Sequence, residues 1–590
     1  MIIAEELFDR IVALIQLDEH RAPEVTGMLY DTLKLACREA LSNNRELFGN
    51  LFSQVDYLSR KYSMHLRDVV AIQKMRSETR TGMQFSSKEL LSHARALSIF
   101  ISTIFQTAIP TRLNHLLPRV YYISKAKREI NYRRIRALVL SVQSDAFKVR
   151  CEQFEDIKEM IVPLNEPHLL YLSTLLKEGM QVNLLDCNVE NDVIETALVV
   201  VNPDFLVDIS AIARCFTDWG HHPLSYTYNR LSPSANSKAI LLGHYSGVAL
   251  DDIINKKEHY SWQESLKKSF SKKALEYCTC GDMNVGDDFK YSAQQQSSNI
   301  QQIVDELFHS EKTSFNEAKA ILEPSFICEE LGIQGRVDLM TTDFKLLIEQ
   351  KSGGNFNIER GIINKYGSYQ REDHYVQLLL YYGVLQHNFR LGRNDIDIRL
   401  LYSKYPLPGG LVVVAFYQQL FREAIEFRNR VVVNEIAVVQ QGFGSVLNEL
   451  TPFTLNANKL TSSFYQRYIQ PQQNRVLEPL QQLSPLEKAY FNRMMTFVYR
   501  EQASSKTSEN EGHGGCQADL WSMPLSEKRD AGNIYTGLVI VKKERSDATS
   551  GIDLLTFEIT EHDPYFLPNF RKGDSVCLYT YLKDEEPLAT

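Results

Sequence analysis

Blocks of helical and of strand-like hydrophobic spacing succeed one another along the chain. Over residues 1–117, apolar positions recur at intervals of three and four, as at Leu7, Ile11, Leu14 and Ile15. That spacing predicts packed helices, one of them over 88–108. Across 118–208 the period shifts towards two. Residues 136–152 alternate about a turn at Ser144-Asp145, and 180–186 and 194–201 read as further strands. A small β-barrel fits this pattern, and an oligonucleotide-binding fold is one form of it. Residues 209–468 mix helices with strands, and the polar run 292–299 is expected to be a surface loop. The Gln/Pro-rich stretch 470–482 predicts a linker over 469–483. Ser484-Pro485-Leu486-Glu487 then reads as a helix start: a Ser cap, Pro in the first turn and Glu three residues on. Residues 504–515 are expected to be a loop, and 535–541, 554–560 and 576–581 to be strands of a β-rich end over 484–590. The fold class expected is multidomain α/β.

Composition narrows the picture only a little. With 44% apolar and 23% charged residues, the chain falls among ordinary globular proteins. No apolar run approaches the roughly 20 residues of a membrane span. The N-terminus is acidic and lacks a basic leader, so no signal peptide is expected. Nine cysteines, odd in number and without framework spacing, point to a reducing cytoplasm. Cys278-Thr279-Cys280 lacks the second pair of a zinc site and reads as plain thiols. The net charge of -8 does not decide for or against nucleic acid, because binding follows local patches. One such patch interleaves Arg119, Lys125, Lys127, Arg128, Arg133, Arg134 and Arg136 with Tyr121, Tyr122 and Tyr132. It could grip phosphates and stack bases, or form a solvated charged face over core tyrosines.

The chemistry-bearing residues lie further on. Gly335-Arg336-Val337-Asp338-Leu339-Met340 and Leu346-Leu347-Ile348-Glu349-Gln350-Lys351 both read as strands, with a turn over 341–343. Side chains two apart share a strand face, so Glu349 and Lys351 point together and Asp338 can meet them from the neighbouring strand. Two carboxylates and an ammonium around one spot suit phosphodiester hydrolysis. Hard oxygen ligands hold Mg²⁺, and a compact cation steadies an attacking water or the charge on the transition state. Taken alone the pattern is loose, since such pairs also decorate ordinary hairpins. A second motif sharpens it: His374–Tyr381 reads as an amphipathic helix carrying Gln377 and Tyr381 one turn apart, before a strand over 397–403.

In this order the motifs resemble the RecB-like branch of the PD-(D/E)xK nucleases. The run from Glu323 to Asp338 is similar to the approach to the catalytic Asp in bacterial relatives of the eukaryotic flap-processing nuclease–helicase. The resemblance implies a restriction-endonuclease-like α/β core over 209–468 that cuts single-stranded or flapped DNA with Mg²⁺ or Mn²⁺. It implies Asp338, Glu349 and the Gln350 carbonyl as metal contacts, Lys351 serving the water, and Gln377 and Tyr381 steadying the site and touching the DNA strand. The family's upstream metal-binding His, in a G-x-x-x-H pattern, is replaced here: Gly247-Val248-Ala249-Leu250-Asp251 puts Asp251 in its place. A carboxylate suits Mg²⁺, but Asp251 could equally be a capping or solvated residue. His244 is the rival ligand.

Other features follow the same comparison. Only Cys516 and Cys577 follow Tyr381, and Cys215 lies near the family's upstream cysteine position without partners, so no iron–sulfur cluster is expected. His221-His222, in a loop beside Gly220 and Pro223, is not expected to bind a metal. Ala489-Tyr490-Phe491, Asp519-Leu520-Trp521 and 569–574 resemble the accessory region and β-barrel that introduce a superfamily 1 helicase motor. No G-x-x-x-x-G-K-[ST] occurs, so no ATPase is expected in this chain, and the motor partner is expected elsewhere in the full-length protein. A catalytically degenerate DNA-binding or docking module is the alternative, because Asp251 replaces His.

Overall fold

The computed structural model describes residues 2–16, 22–42, 47–48, 51–80, 85–121, 130–151, 154, 159–233, 236–256, 259–282, 287–310, 315–362, 369–392, 395–507, 515–544, 554–560 and 566–578. It is a mixed α/β assembly of several packed units with a closed five-stranded barrel. Among the described residues no helix is long and apolar enough to cross a membrane.

Five long helices, Ile2–Ile15, Ala22–Ala40, Leu51–Lys61, Leu66–Arg80 and Ser87–Ile104, open the chain. They bury Leu7, Ile11, Leu33, Leu58, Ile72 and Phe100 in one core. The helix expected over 88–108 ends at Ile104, where Gln106 turns the chain at φ 50°. This unit is not a bystander. Its two-residue strand Leu47–Phe48 pairs in parallel with an edge of the main sheet. Arg60 reaches into that sheet, 3.2 Å from Asp397, which Arg399 also holds at 2.9 Å. Burial alone would raise the Asp397 carboxyl, but these two guanidinium groups pull it below the usual range.

The barrel comprises β1 (Tyr132–Val142), β2 (Ala146–Cys151), β3 (Glu159–Pro163), β4 (Gln181–Glu190) and β5 (Val193–Glu195). It closes in the order β1-β2-β3-β5-β4 and back to β1, and β6 (Leu198–Val201) extends from β4. Alternate residues such as Ile135, Ala137, Val139, Phe147 and Val149 fill its interior. The single strand expected over 194–201 is split, because the Thr196 hydroxyl bonds the Leu185 backbone between β5 and β6.

A second six-stranded sheet carries the central chemistry. Its strands are Leu47–Phe48, then β7 (Ala320–Leu322), β10 (Leu339–Thr341), β11 (Leu346–Lys351), β12 (Asp397–Tyr402) and β13 (Leu411–Val414). Strands β8 (Ser325–Cys328) and β9 (Ile333–Arg336) form a small separate sheet with Val207–Asp208. Helices α1 (Lys238–Lys256) and α2 (Asp287–Phe308) cover one face of the large sheet, packing on Leu346, Ile348 and Leu401. Helices α3 (Glu372–Phe389) and α4 (Gln418–Gln441) cover the other, packing on Leu347, Leu400 and Val412. With both faces covered, β13 and the stretches Leu346-Leu347-Ile348 of β11 and Leu400-Leu401-Tyr402 of β12 are continuous buried apolar runs.

Three expectations are corrected. The polar run 292–299 is not a loop but lies within α2, with Gln296, Ser297 and Asn299 buried. It is polar because it meets chain ends that need donors. Gln296 Nε2 donates to the Ser352 carbonyl at 3.1 Å and Asn299 Nδ2 to the Ser403 carbonyl at 2.9 Å. The expected linker 469–483 is largely helix α5 (Gln470–Gln481), anchored by buried Gln473 and Leu477. Its early proline occupies a first-turn position, where no N–H is needed. The C-terminal region shows no barrel among its described residues. It has helix α6 (Pro485–Lys506), started by the Ser484/Glu487 capping box, and one hairpin of Leu538–Glu544 with Leu554–Ile559. Residues 576–578 are not strand, and 579–581 and 508–514 lie outside the described residues.

Arg428 on α4 clasps the barrel edge to the core. Its buried guanidinium donates to the carbonyls of Gly332 (3.1 Å), Asn202 (3.0 Å), Phe205 (2.7 Å) and Val201. Among the described residues no carboxylate pairs with it, and burial pulls its pKa down to about 9. Gly332, at φ +63°, leaves the space the guanidinium fills. Arg428→Met orphans several buried carbonyls and should cost about 3 kcal/mol or more in urea unfolding; an unchanged midpoint would show that the clasp is dispensable.

Candidate functional site

The site grows from the β10–β11 hairpin. Leu339 pairs with Ile348, which sets Asp338 opposite Glu349. On the other side Leu339 pairs with Leu322, and the Glu323 N–H donates to the Asp338 carbonyl at 3.0 Å. Glu323, Asp338 and Glu349 therefore form a row across three adjacent strands. Glu323 is the outermost and half-exposed, 3.2 Å from Arg336.

Alternation along β11 divides the chemistry between two faces. Gln350 points to the α1 side and donates to the Ser246 carbonyl at 3.0 Å. Glu349 and Lys351 point to the α3 side and meet each other, Lys351 Nζ to Glu349 Oε1 at 2.8 Å. Gln377 on α3 bridges both: its Nε2 donates to Glu349 Oε1 at 2.7 Å and its Oε1 accepts from Lys351 at 2.8 Å. Asp338 is anchored by the Gln350 backbone N–H at 2.7 Å. Glu349 Oε2 is buried and has no hydrogen-bond partner among the described residues. Burial, and then the neighbouring Asp338 charge, push Glu349 up to about 8. Burial also raises Asp338, against the pull of the Gln350 N–H and Lys351.

Tyr381 is buried, at 2% exposure, and its hydroxyl donates to the Arg336 carbonyl at 2.7 Å. It steadies the end of β9 and, so placed, does not present itself to a DNA strand. Gly335 lies against its ring so closely that a Cβ there would collide with it. The helix His374–Tyr381, expected to be amphipathic, is buried on most of its circumference as part of α3.

The expected third ligand is not brought in. Asp251 on α1 is pushed up to about 7 by burial and then by Glu323, while Lys268 and Lys272 oppose the shift. Among the described residues no group of three or more His, Cys, Asp or Glu side chains is spaced to hold an ion, so Asp251 does not complete a set with Asp338 and Glu349. The rival, His244, is exposed. His221 lies 2.9 Å from Glu372, and His222 Nδ1 accepts from the Leu224 N–H at 3.2 Å, so the two rings serve different neighbours. Cys215 is buried and donates to the Ala211 carbonyl at 3.3 Å, Cys516 lies 3.2 Å from Asp519, and Cys577 is exposed. Cys278 is exposed while Cys280 is buried.

The basic–aromatic stretch is corrected in part. Residues 122–129, with Tyr122, Lys125, Lys127 and Arg128, lie outside the described residues. Arg134 pairs with Glu329 at 2.7 Å, Arg136 with Asp204, and Arg133 caps the Gln386 and His387 carbonyls of α3. These three weld the barrel to the core and are not presented to phosphates. Tyr121 hydrogen-bonds Asp68, and Tyr132 packs edge-on against Phe154.

Sequence reading missed Arg214. A cleft bounded by Lys351, Gln377, Asp373 and His374 is closed on its far side by Ser210 and Arg214. Arg214 caps the short helix Ile209–Ala213 and is exposed. It lies over 120 residues before Lys351, and nothing in its local pattern sets it apart. His374, pulled down to about 3 by burial, is a neutral wall of the cleft.

No protein-family model and no curated protein sequence matches the chain.

The donor set fits one divalent cation. Two adjacent carboxylates that repel each other, Glu349 buried and with an oxygen lacking a partner among the described residues, Asp338 half-buried, gain from a dication between them. Both carboxyls sit above their usual range, so the folded protein without metal holds protons that the unfolded chain releases. That contribution to stability is full below the ordinary carboxylate range and is lost as pH rises through about 8. In EDTA, the melting temperature of wild type relative to Glu349→Gln should therefore fall between pH 5 and pH 9; a constant difference would contradict the shifted pair.

Proposed function

We propose that the protein is a divalent-metal-dependent deoxyribonuclease that hydrolyses phosphodiester bonds in single-stranded or flapped DNA. The observation carrying this reading is the Asp338–Glu349 pair, whose Glu349 is joined through Gln377 to the Lys351 ammonium, with Gln377 and Lys351 lining an open cleft. On this reading the chain is a RecB-like PD-(D/E)xK nuclease. Residues 209–468 are its restriction-endonuclease-like core, the β1–β5 barrel is an oligonucleotide-binding-like domain, and 484–590 is the accessory region of a superfamily 1 helicase motor.

Asp338, Glu349 and the Gln350 carbonyl would hold Mg²⁺ or Mn²⁺. A bound dication supplies polarisation of the phosphate and a water of lowered pKa. The rest falls to the chain's own groups. Lys351, held between Glu349 and Gln377, donates to the attacking water or to a phosphate oxygen as charge builds there. Gln377 fixes the orientation of both Glu349 and Lys351, and Tyr381 fixes the backbone before Asp338. Arg214 faces Lys351 across the cleft and would hold the neighbouring phosphate.

A second reading, a non-catalytic DNA-binding or docking module of a helicase, is favoured by one observation: no third His, Cys, Asp or Glu joins the pair among the described residues.

End-labelled single-stranded and flapped DNA, incubated with Mg²⁺, Mn²⁺ or EDTA, separates the two. The nuclease reading expects metal-dependent products that Lys351→Ala reduces by about 10²-fold or more while DNA binding persists. Binding without products in either metal supports the module. For Arg214→Ala the expected change is a KM raised about tenfold at little altered kcat; a loss confined to kcat would place Arg214 elsewhere in the mechanism.

A further inference from the structure

A second cavity, of about 360 Å³, lies in the seam between the barrel and the core. Its walls come from β4 and the start of β1, from the C-terminal end of α3, and from the first turns of α4. It is separate from the cleft at Lys351. Gln386, on its wall, lies nine residues after Gln377, which is roughly 2.5 helical turns and places it on the opposite side of α3.

Three arginines border the cavity, Arg133, Arg390 and Arg422, against one carboxylate, Asp186. Arg133 is committed to the carbonyls at the end of α3. Arg390 is exposed, and its planar fork suits phosphate oxygens. The apolar wall is aromatic: half-buried Phe416 packs 4.7 Å from the Tyr382 ring and 5.3 Å from that of Phe421.

A backbone observation points to the same place. Asp186 and Arg390, two non-glycine residues of this wall, both adopt left-handed conformations, at φ 50° and φ 54°. Arg390 stands where a helix C-terminus ordinarily takes Gly. Glycine would relieve the conformation but would forfeit the guanidinium. Strain kept on two residues of one cavity is the pattern of a binding wall.

We propose that this cavity binds a phosphorylated nucleoside unit, either a free nucleotide or one nucleotide of a passing strand. The volume lies in the range of small-ligand pockets. Phe416 offers a surface for the base, Arg390 holds the phosphate, and Asp186 accepts from a base N–H or a sugar hydroxyl. The proposal does not rest on catalysis at Lys351.

The test uses the full chain in EDTA, so that cleavage plays no part. Fluorescence anisotropy follows labelled oligothymidylate of about 12 nucleotides, with dTMP as competitor. Arg390→Gly suits its backbone conformation, so its melting temperature should hold or rise. Its affinity should fall at least about tenfold. A fall for oligothymidylate alone assigns the site to a strand; a fall for both probes assigns it to nucleotides generally. Wild-type affinity for both probes in Arg390→Gly, or binding of neither probe by the wild type, overturns the proposal.

Discussion

Everything at the centre of this molecule follows from setting two carboxylates side by side, Glu349 buried and Asp338 half-buried. Asp338 and Glu349 face each other across a hairpin, so close that like charges cannot both ionise freely. What surrounds them answers that constraint. Lys351 and Gln377 satisfy one oxygen of Glu349, and the Gln350 N–H satisfies Asp338. The remaining oxygen of Glu349 has no partner among the described residues. The polar face of α2 holds the backbone just past Lys351, so the ammonium is positioned from behind as well as beside.

The flanking units are tied to this centre by buried charge more than by apolar contact alone. Arg60 and Arg399 converge on Asp397, at the start of the strand next to β11. Arg134, Arg136 and Arg428 fasten the barrel and its edge to the core. A cation removed from such a place leaves partners that water cannot reach, which makes these joints stiff.

Local rules made much of this legible in the sequence. The two-residue period of β11 put Glu349 and Lys351 on one face, and helical spacing joined Gln377 to Tyr381. The Ser484 capping box, a wholly local device, marked the start of α6. Features that depend on distant partners were not legible. The run 292–299 looks like a loop until the carbonyls of Ser352 and Ser403 are placed against it. Arg133, Arg134 and Arg136 look like a phosphate grip until Glu329, Asp204 and the end of α3 claim them. Asp251 holds a plausible sequence position, yet its strongest charged neighbour is Glu323, not the pair it was expected to join. Arg214 reaches the cleft only through the fold.

Calorimetric titration of the metal-free protein with Mn²⁺ near pH 8 tests the central claim most directly. The account predicts saturable binding of one ion per chain that Glu349→Gln abolishes and Asp251→Asn leaves nearly intact. Saturable binding that survives Glu349→Gln, or no binding by the wild type, would contradict the claim that the Asp338–Glu349 pair is a divalent-cation site.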